Sequence, residues 1–251
     1  MTYTTPNLTT PEFFDGLLDE YNTLIAGCVG SGKSTVIEGI IYSIACNFTP
    51  EDAEVYLIDP KMVQLDPWRV IPHCAGYADT IEGANDIMEE VKERMERRYR
   101  DIKNRHIREF DGSHIYVIID ELADLLMEDK KGFPFLLRKV LQLGRAARVH
   151  VIGATQSVRR EIVNGALQVN FTCRVGLHCS SVIESRIAIE QPGCETLPPY
   201  GKAILKHNGR VDDPVEVPYV NEKQCETVRQ FWLAQIFAQL AAERNANVSF
   251  N

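Results

Sequence analysis

The eight residues GCVGSGKS, 27 to 34, restrict what this chain can fold into more than any other stretch. Gly27, Gly32, Lys33 and Ser34 satisfy the spacing G-x-x-x-x-G-K-[ST], in which backbone amides and a lysine ammonium surround the phosphates of a nucleotide. Such a loop works only where a strand delivers the chain to a helix N-terminus, because the amides and the helix dipole must converge on one anion. The flanking residues meet that requirement. Residues 23–26 read as a short buried strand, and residues 34–46 as a helix in which Val36, Ile37, Ile40, Ile41 and Ile44 recur at helical spacing. The whole stretch Gly27, Cys28, Val29, Gly30, Ser31, Gly32, Lys33, Ser34 and Thr35 is therefore assigned to nucleotide binding.

Beyond the loop, short apolar runs alternate with longer helical patterns. Strands are expected at 55–58, 115–119, 149–154 and 173–177, with 203–205 as an edge strand. Continuous apolar strands separated by helices mean an α/β fold with a mostly parallel sheet covered on both faces. At 251 residues, 45% hydrophobic and 25% charged, the chain has material for one sizeable core and a small appendage. Its seven cysteines are scattered, with no C-x-x-C pair, so neither a disulfide framework nor a zinc site is expected. The first residues lack the pattern of a signal peptide and no apolar run is long enough to span a membrane, which makes the expected location cytoplasmic. A net charge of −8 argues mildly against a protein that coats nucleic acid, although a ring can enclose a basic channel inside an acidic shell.

Two further stretches carry chemistry. In IYVIIDEL (115–122), an apolar strand ends in two carboxylates, which places Asp120 at the carboxyl edge of the sheet, where it can hold Mg²⁺ through water while Ser34 ligates the metal. Glu121 would then orient and deprotonate the attacking water; the structural alternative is a carboxylate placed at a helix N-terminus by the dipole. In VIGATQS (151–157), the amide of Gln156 at a strand tip is positioned to sense the γ-phosphate or the water, the alternative being a cap or turn residue.

LIDPKMVQL (57–65), ERMERRYRDI (93–102), VIIDELADLL (117–126), LQLGRAARVHVIGATQ (141–156) and SSVIESRIAIEQPGCETL (180–197), in this order behind the phosphate loop, resemble the motor domain of the FtsK/SpoIIIE DNA translocases. The likeness covers roughly residues 23 to 206 and implies a RecA-like P-loop ATPase that uses ATP and Mg²⁺ and assembles as a homo-oligomeric, hexameric ring around double-stranded DNA, gripping it largely without regard to sequence. Lys33, Ser34, Asp120, Glu121 and Gln156 fall on the family's nucleotide-site positions. On this basis residues 23–220 are the ATPase motor domain, 1–22 a leader, 221–244 a C-terminal amphipathic helix and 245–251 a disordered tail. The chain departs from the family at SVRREIV, where arginine-proline usually follows the sensor, and at Gln64, where glutamate is usual. The expected architecture is a stripped motor without membrane helices or a winged-helix reader, serving DNA transfer or packaging by a mobile element or virus.

Ring motors complete each site with an arginine from a neighbour, and Arg145 and Arg186 stand at family-matched positions; a surface salt bridge is the alternative for each. DNA contact is expected from Arg159 and Arg160, on the loop after the sensor, and from Lys130 and Lys131, on the loop after the helix that follows Glu121; plain solvation of loop charges is the alternative. The basic run 92–108 is interleaved with acids at i,i+4 spacing and reads as a solvated helix face. Val228, Phe231, Trp232, Gln235, Ile236 and Leu240 form a stripe that packs on the motor or docks a partner protein. Two rival functions share the nucleotide motifs. One is a protein-secretion ATPase of the same superfamily; the other is an ATP-binding switch that recruits a partner and has less need of Glu121.

Overall fold

The computed structural model describes residues 3–156, 167 and 169–248. Alternation along each strand decides the layers, because successive side chains leave a strand on opposite faces. In β2 (Ala53–Ile58), Val55 and Leu57 join one core cluster while Tyr56 and Ile58 join another; in β4 (His114–Ile119), Tyr116 and Ile118 go with the first pair, and Ile115, Val117 and Ile119 with the second. The first cluster is closed by α1 (Glu12–Leu18), α2 (Lys33–Asn47) and the C-terminal α7 (Glu222–Val248). The second is closed by α3 (Ile81–Arg105), α4 (Leu122–Glu128) and α5 (Gly132–Leu143).

Among the described residues the strands lie in the order β3-β2-β4-β5-β1-β6-β7-β8, with β9 also on β7. β3 (Cys74–Ala78), β2, β4, β5 (Val149–Thr155), β1 (Asn22–Ala26) and β6 (Cys173–Gly176) are mutually parallel. β7 (Lys202–His207) runs antiparallel to β6 and carries β8 (Arg210–Val211) and β9 (Val215–Glu216). The expected edge strand at 203–205 is thus an interior antiparallel strand. β3 escapes sequence reading because its CAGYA composition is short and only partly buried. A remaining helix, α6 (Val182–Ile189), starts at a Ser181 cap and packs on a small cluster with Ala26, Cys194 and Ile204.

The leader and the C-terminal helix are parts of the core. Phe14 of α1 is fully buried against Gly39 of α2, where a Cβ would lie 2.1 Å from the phenyl ring, so only glycine admits the contact. Trp232 of α7 donates its indole N–H to Ala45 O at 2.8 Å and stands edge-on to His73, 4.6 Å between centroids. Past that anchor Phe237 and Leu240 are exposed. The helix reaches Val248, past the end expected at 244, since no glycine or proline interrupts it, and residues 249–251 of the expected tail lie outside the described residues. All seven cysteines are free, and among the described residues no helix is long and apolar enough to cross a membrane.

Two buried histidines stabilise the fold only while neutral. Burial pushes the His73 and His150 imidazoles down to about 4; His73 donates from Nε2 to Phe48 O, and His150 from Nδ1 to Glu20 O. Between pH of about 6.5 and 4 the unfolded chain therefore binds protons that the folded chain does not, and stability falls as the pH falls. Urea unfolding at pH 7 and pH 5 should show a loss of a few kcal/mol, and His73→Phe should flatten part of that slope; equal midpoints at both pH values would contradict the assignment.

Candidate nucleotide site

Register brings the site together. Ala26 pairs with Thr155, whereas Ile119 pairs with Gly153, so β5 outruns β4 by two residues at the edge where both β1 and β4 give way to loops. The tip of β5 therefore stands between the phosphate loop and the acidic pair that follows β4.

The loop leaves β1 and turns into α2 through Gly30 (φ +78°) and Gly32 (φ +97°), a left-handed conformation that costs glycine little. It is pinned from both neighbouring strands: the Gly27 amide donates to Thr155 O at 3.4 Å and the Cys28 amide to His178 O at 2.9 Å. Lys33 is 6% exposed and donates to Gly27 O (2.8 Å) and Cys28 O (2.6 Å). Burial lowers its pKa, opposed by Glu121, Cys28 and Asp120. A desolvated ammonium partnered by carbonyls, next to a buried Ser31 hydroxyl with no partner, fits a phosphate better than it fits a closed core. Ser34 is exposed at the start of α2. Beside the loop opens a cavity of about 360 Å³ lined in part by Thr35, Leu177, Tyr200, Val217 and Tyr219. The two tyrosines, each preceded by proline, escaped the sequence reading; their signal is the Pro-Tyr pair on either side of the β7 hairpin.

Asp120 follows β4, its amide donating to Ile58 O at 3.0 Å. Its carboxyl is pushed up to about 6 by burial and by Asp59 and Glu121, against the pull of Lys61 and Lys33. That excess of negative charge is what a divalent cation relieves. Among the described residues no group of three or more His, Cys, Asp or Glu is placed to hold a metal ion.

Glu121, 2% exposed, occupies the N-cap position of α4 but makes no side-chain capping bond there. It turns to β5, where Oε1 accepts from Thr155 Oγ1 (2.9 Å) and both oxygens accept from the Gln156 amide (3.2 and 3.1 Å); Oε2 also accepts from Lys61 Nζ at 3.4 Å. Glu121 thus stands at the helix terminus that the structural alternative names, with its carboxylate bonded to the end of β5. Gln156 meets Glu121 through its backbone, a contact that no side-chain reading anticipates. Lys61 comes from the DPKMVQL stretch, which Asp59 folds into a tight turn: its Oδ2 accepts the amides of Val63 (3.0 Å), Gln64 (2.9 Å) and Leu65 (2.9 Å). Gln64, the departure from the family, lies beside Glu38 in a place already shared with Glu222, where a glutamate would add a third carboxylate.

The other expected residues lie away from this cluster. Arg145 is exposed over the Tyr21 ring, 5.3 Å from its centroid, in the turn that precedes β5, a strand of seven residues and about 23 Å from the carboxyl edge. Arg186 is exposed on α6, near Glu195. Lys130 and Lys131 are exposed in a turn built on Asp129 and tied by Asn85 to the first turn of α3. Most of the charge on α3 is paired, as in Arg94–Glu54, Arg97–Glu93 and Arg105–Asp101. Arg159 and Arg160, with SVRREIV, lie outside the described residues.

Known proteins share this fold. The TM-score is 0.70 to the cytoplasmic domain of the type VII secretion ATPase EccC of Thermomonospora curvata, at 22% identity over 84% of this chain and 28% of that one. It is 0.71 to the pCW3 conjugation coupling protein TcpA, solved with ATPγS, at 18% identity over 85% of this chain and 65% of that one. These likenesses establish a P-loop ATPase fold. In sequence, the chain is 33% identical over 244 residues to the DNA translocase FtsK of Sporosarcina ureae, covering 88% of this chain. It spans only 31% of that relative's length. The FtsK/SpoIIIE family pattern matches residues 9–116, from α1 through the phosphate loop and into β4. The motif order along the sequence and the identity sustained over most of the chain agree, and the chain belongs to the FtsK/SpoIIIE family.

Proposed function

We propose that this chain hydrolyses ATP to move double-stranded DNA, as a homo-oligomeric and hexameric ring. The observation that carries the hydrolytic part is the convergence of Lys33, Asp120, Glu121 and the β5 tip at one edge of the sheet. Lys33, buried on two carbonyls, would transfer its ammonium to phosphate oxygens, and the loop amides would hold the remaining charge. Ser34 and Asp120 would hold Mg²⁺, which supplies positive charge to the phosphate oxygens. Glu121 would take the proton of the attacking water, and Thr155 and Gln156 hold its carboxylate in place for that task. The Gln156 amide lies on the same carboxylate, so a shift of the β5 tip on loss of phosphate reaches Glu121 directly. Tyr200 and Tyr219 supply faces for a nucleobase at the mouth of the adjoining cavity.

The DNA part rests on relatives named DNA translocases and on exposed Lys130 and Lys131 near the carboxyl edge; Arg159 and Arg160, outside the described residues, are candidates from the sequence alone. With 35 acidic against 27 basic residues, any grip on phosphates must be local, from loops projecting into a channel. Arg145 cannot reach the site of its own chain across β5, so it could act only on a neighbour. Arg186 is the second candidate, on the phosphate-loop side of the sheet.

Lys33→Ala should abolish tight ATP binding, whereas Glu121→Gln should bind ATP and lose turnover by at least about a hundredfold, measured by nucleotide titration and phosphate release. Undiminished turnover in Glu121→Gln removes the base assignment. Double-stranded DNA of arbitrary sequence should stimulate hydrolysis, fading as salt rises, and Arg159→Ala with Arg160→Ala should reduce the stimulation more than the basal rate. Hydrolysis indifferent to DNA at every salt concentration would favour a protein-translocating ATPase instead. If sites are shared, specific activity should rise with protein concentration, and Arg145→Ala or Arg186→Ala, whichever is the finger, should bind ATP without turning it over. A monomeric mass and constant specific activity across dilution, with ATP and DNA present, would sink the ring.

A further inference from the structure

Glu121 is gripped from the sides of both strands that flank β4. From the β5 side, Thr155 Oγ1 donates to Oε1 and the Gln156 amide to both oxygens. From the β2 side, Lys61 Nζ reaches Oε2 at 3.4 Å. An ionised carboxylate offers about four lone-pair positions, so these three donors leave one open to water. Thr155 and Gln156 are neutral, and Lys33 is turned to Gly27 O and Cys28 O, so among the described residues Lys61 is the one cation in contact with this carboxylate. The turn that carries Lys61 is closely determined. Asp59, fully buried, accepts the Lys61 amide on Oδ1 at 3.3 Å and the amides of Val63, Gln64 and Leu65 on Oδ2. Met62, at its apex, takes the left-handed conformation at φ +55°, which strains a residue that has a Cβ. The apex buries no apolar side chain in return, since Met62 is 63% and Val63 74% exposed. What it places is the Lys61 ammonium, over Glu121.

We propose that Lys61 is a positioning residue for Glu121: its ammonium holds Oε2 from the β2 side while Thr155 and Gln156 hold the carboxylate from the other, and together they fix the direction in which the open lone pair meets the attacking water. The proposal rests on the reading of Glu121 as the general base. Asp124 Oδ2 on α4 lies 3.9 Å from the same Nζ and is half exposed, which makes it the weaker partner of the two. A phosphate arriving at Lys33 adds negative charge on this side of the site and keeps the ammonium on Glu121, so the tether persists through the nucleotide-bound state.

Turnover and ATPγS titration of this chain test the assignment. Lys61→Met should lower kcat for ATP about tenfold with KM held within about twofold, because a reacting group loses one of its tethers and no nucleotide contact goes with it. Lys61→Arg should recover most of the rate, and Asp124→Asn should stay within about twofold of wild type. In a Glu121→Gln background, Lys61→Met should change the residual single-turnover rate by less than about twofold, since a residue that acts through the carboxylate then has nothing to act on. Independently of turnover, the dissociation constant of ATPγS should stay within about twofold in Lys61→Met. A lysine that touches phosphate itself would weaken ATPγS binding about fivefold or more, and would cost the same factor with or without Glu121. Either of those results, a wild-type kcat in Lys61→Met, or an equal loss in Asp124→Asn overturns the proposal and leaves the base assignment standing. Undiminished turnover in Glu121→Gln overturns both.

Discussion

The insertion of β5 between β1 and β4 is the constraint on which the site depends. It separates the phosphate loop from the acidic pair by one strand and fills the gap with that strand's own tip. Had β4 paired directly with β1, Glu121 would have met the phosphate loop with no group between them. Instead Thr155, level with Ala26 and two residues beyond the end of β4, donates to the carboxylate, and the neighbouring Gln156 amide does the same. The parallel register decides these contacts, and it is held by hydrophobic burial on both faces of the sheet.

Electrostatics at this edge are those of a site built for a partner that brings charge. Two buried or half-buried lysines face four carboxylates, and the carboxyl of Asp120 is held near neutrality in pH as a result of burial and of Asp59 and Glu121. Lys33 is desolvated and rests on backbone carbonyls. Anionic phosphates and a divalent cation would satisfy both halves at once, and this is why the loop, the acid pair and Lys61 read as one unit.

The rest of the molecule keeps that edge rigid. α2 carries the loop, and it is clamped by Phe14 through Gly39 on one side and by Trp232 through Ala45 on the other. The N-terminal segment and the C-terminal helix, which composition alone separates from the motor, hold the element whose first residue is Lys33. Beyond Trp232 the helix leaves the body with Phe237 and Leu240 exposed, so its two halves differ: one is core, the other surface.

Much of this was legible in the sequence because local spacing carries it. The glycine loop, the apolar run into Asp120 and Glu121, and the 3.6-residue pattern after Ser34 are short-range signals, and strand, loop and helix follow from them within one or two residues. Thr155, Lys61 and Asp59 were not legible as partners of the site, although their stretches stood out, because their meeting depends on strand order and register, and nothing in a strand's own residues states which strand lies beside it. The same holds for β3, whose short, half-buried CAGYA becomes a strand only against β2, and for Tyr200 and Tyr219, brought to the phosphate loop by the antiparallel return of β7. The sequence by itself determined the kinds of group available and the elements that carry them. The tertiary structure decided which groups face one another, because contacts between distant segments are settled by burying two faces of one sheet at the same time.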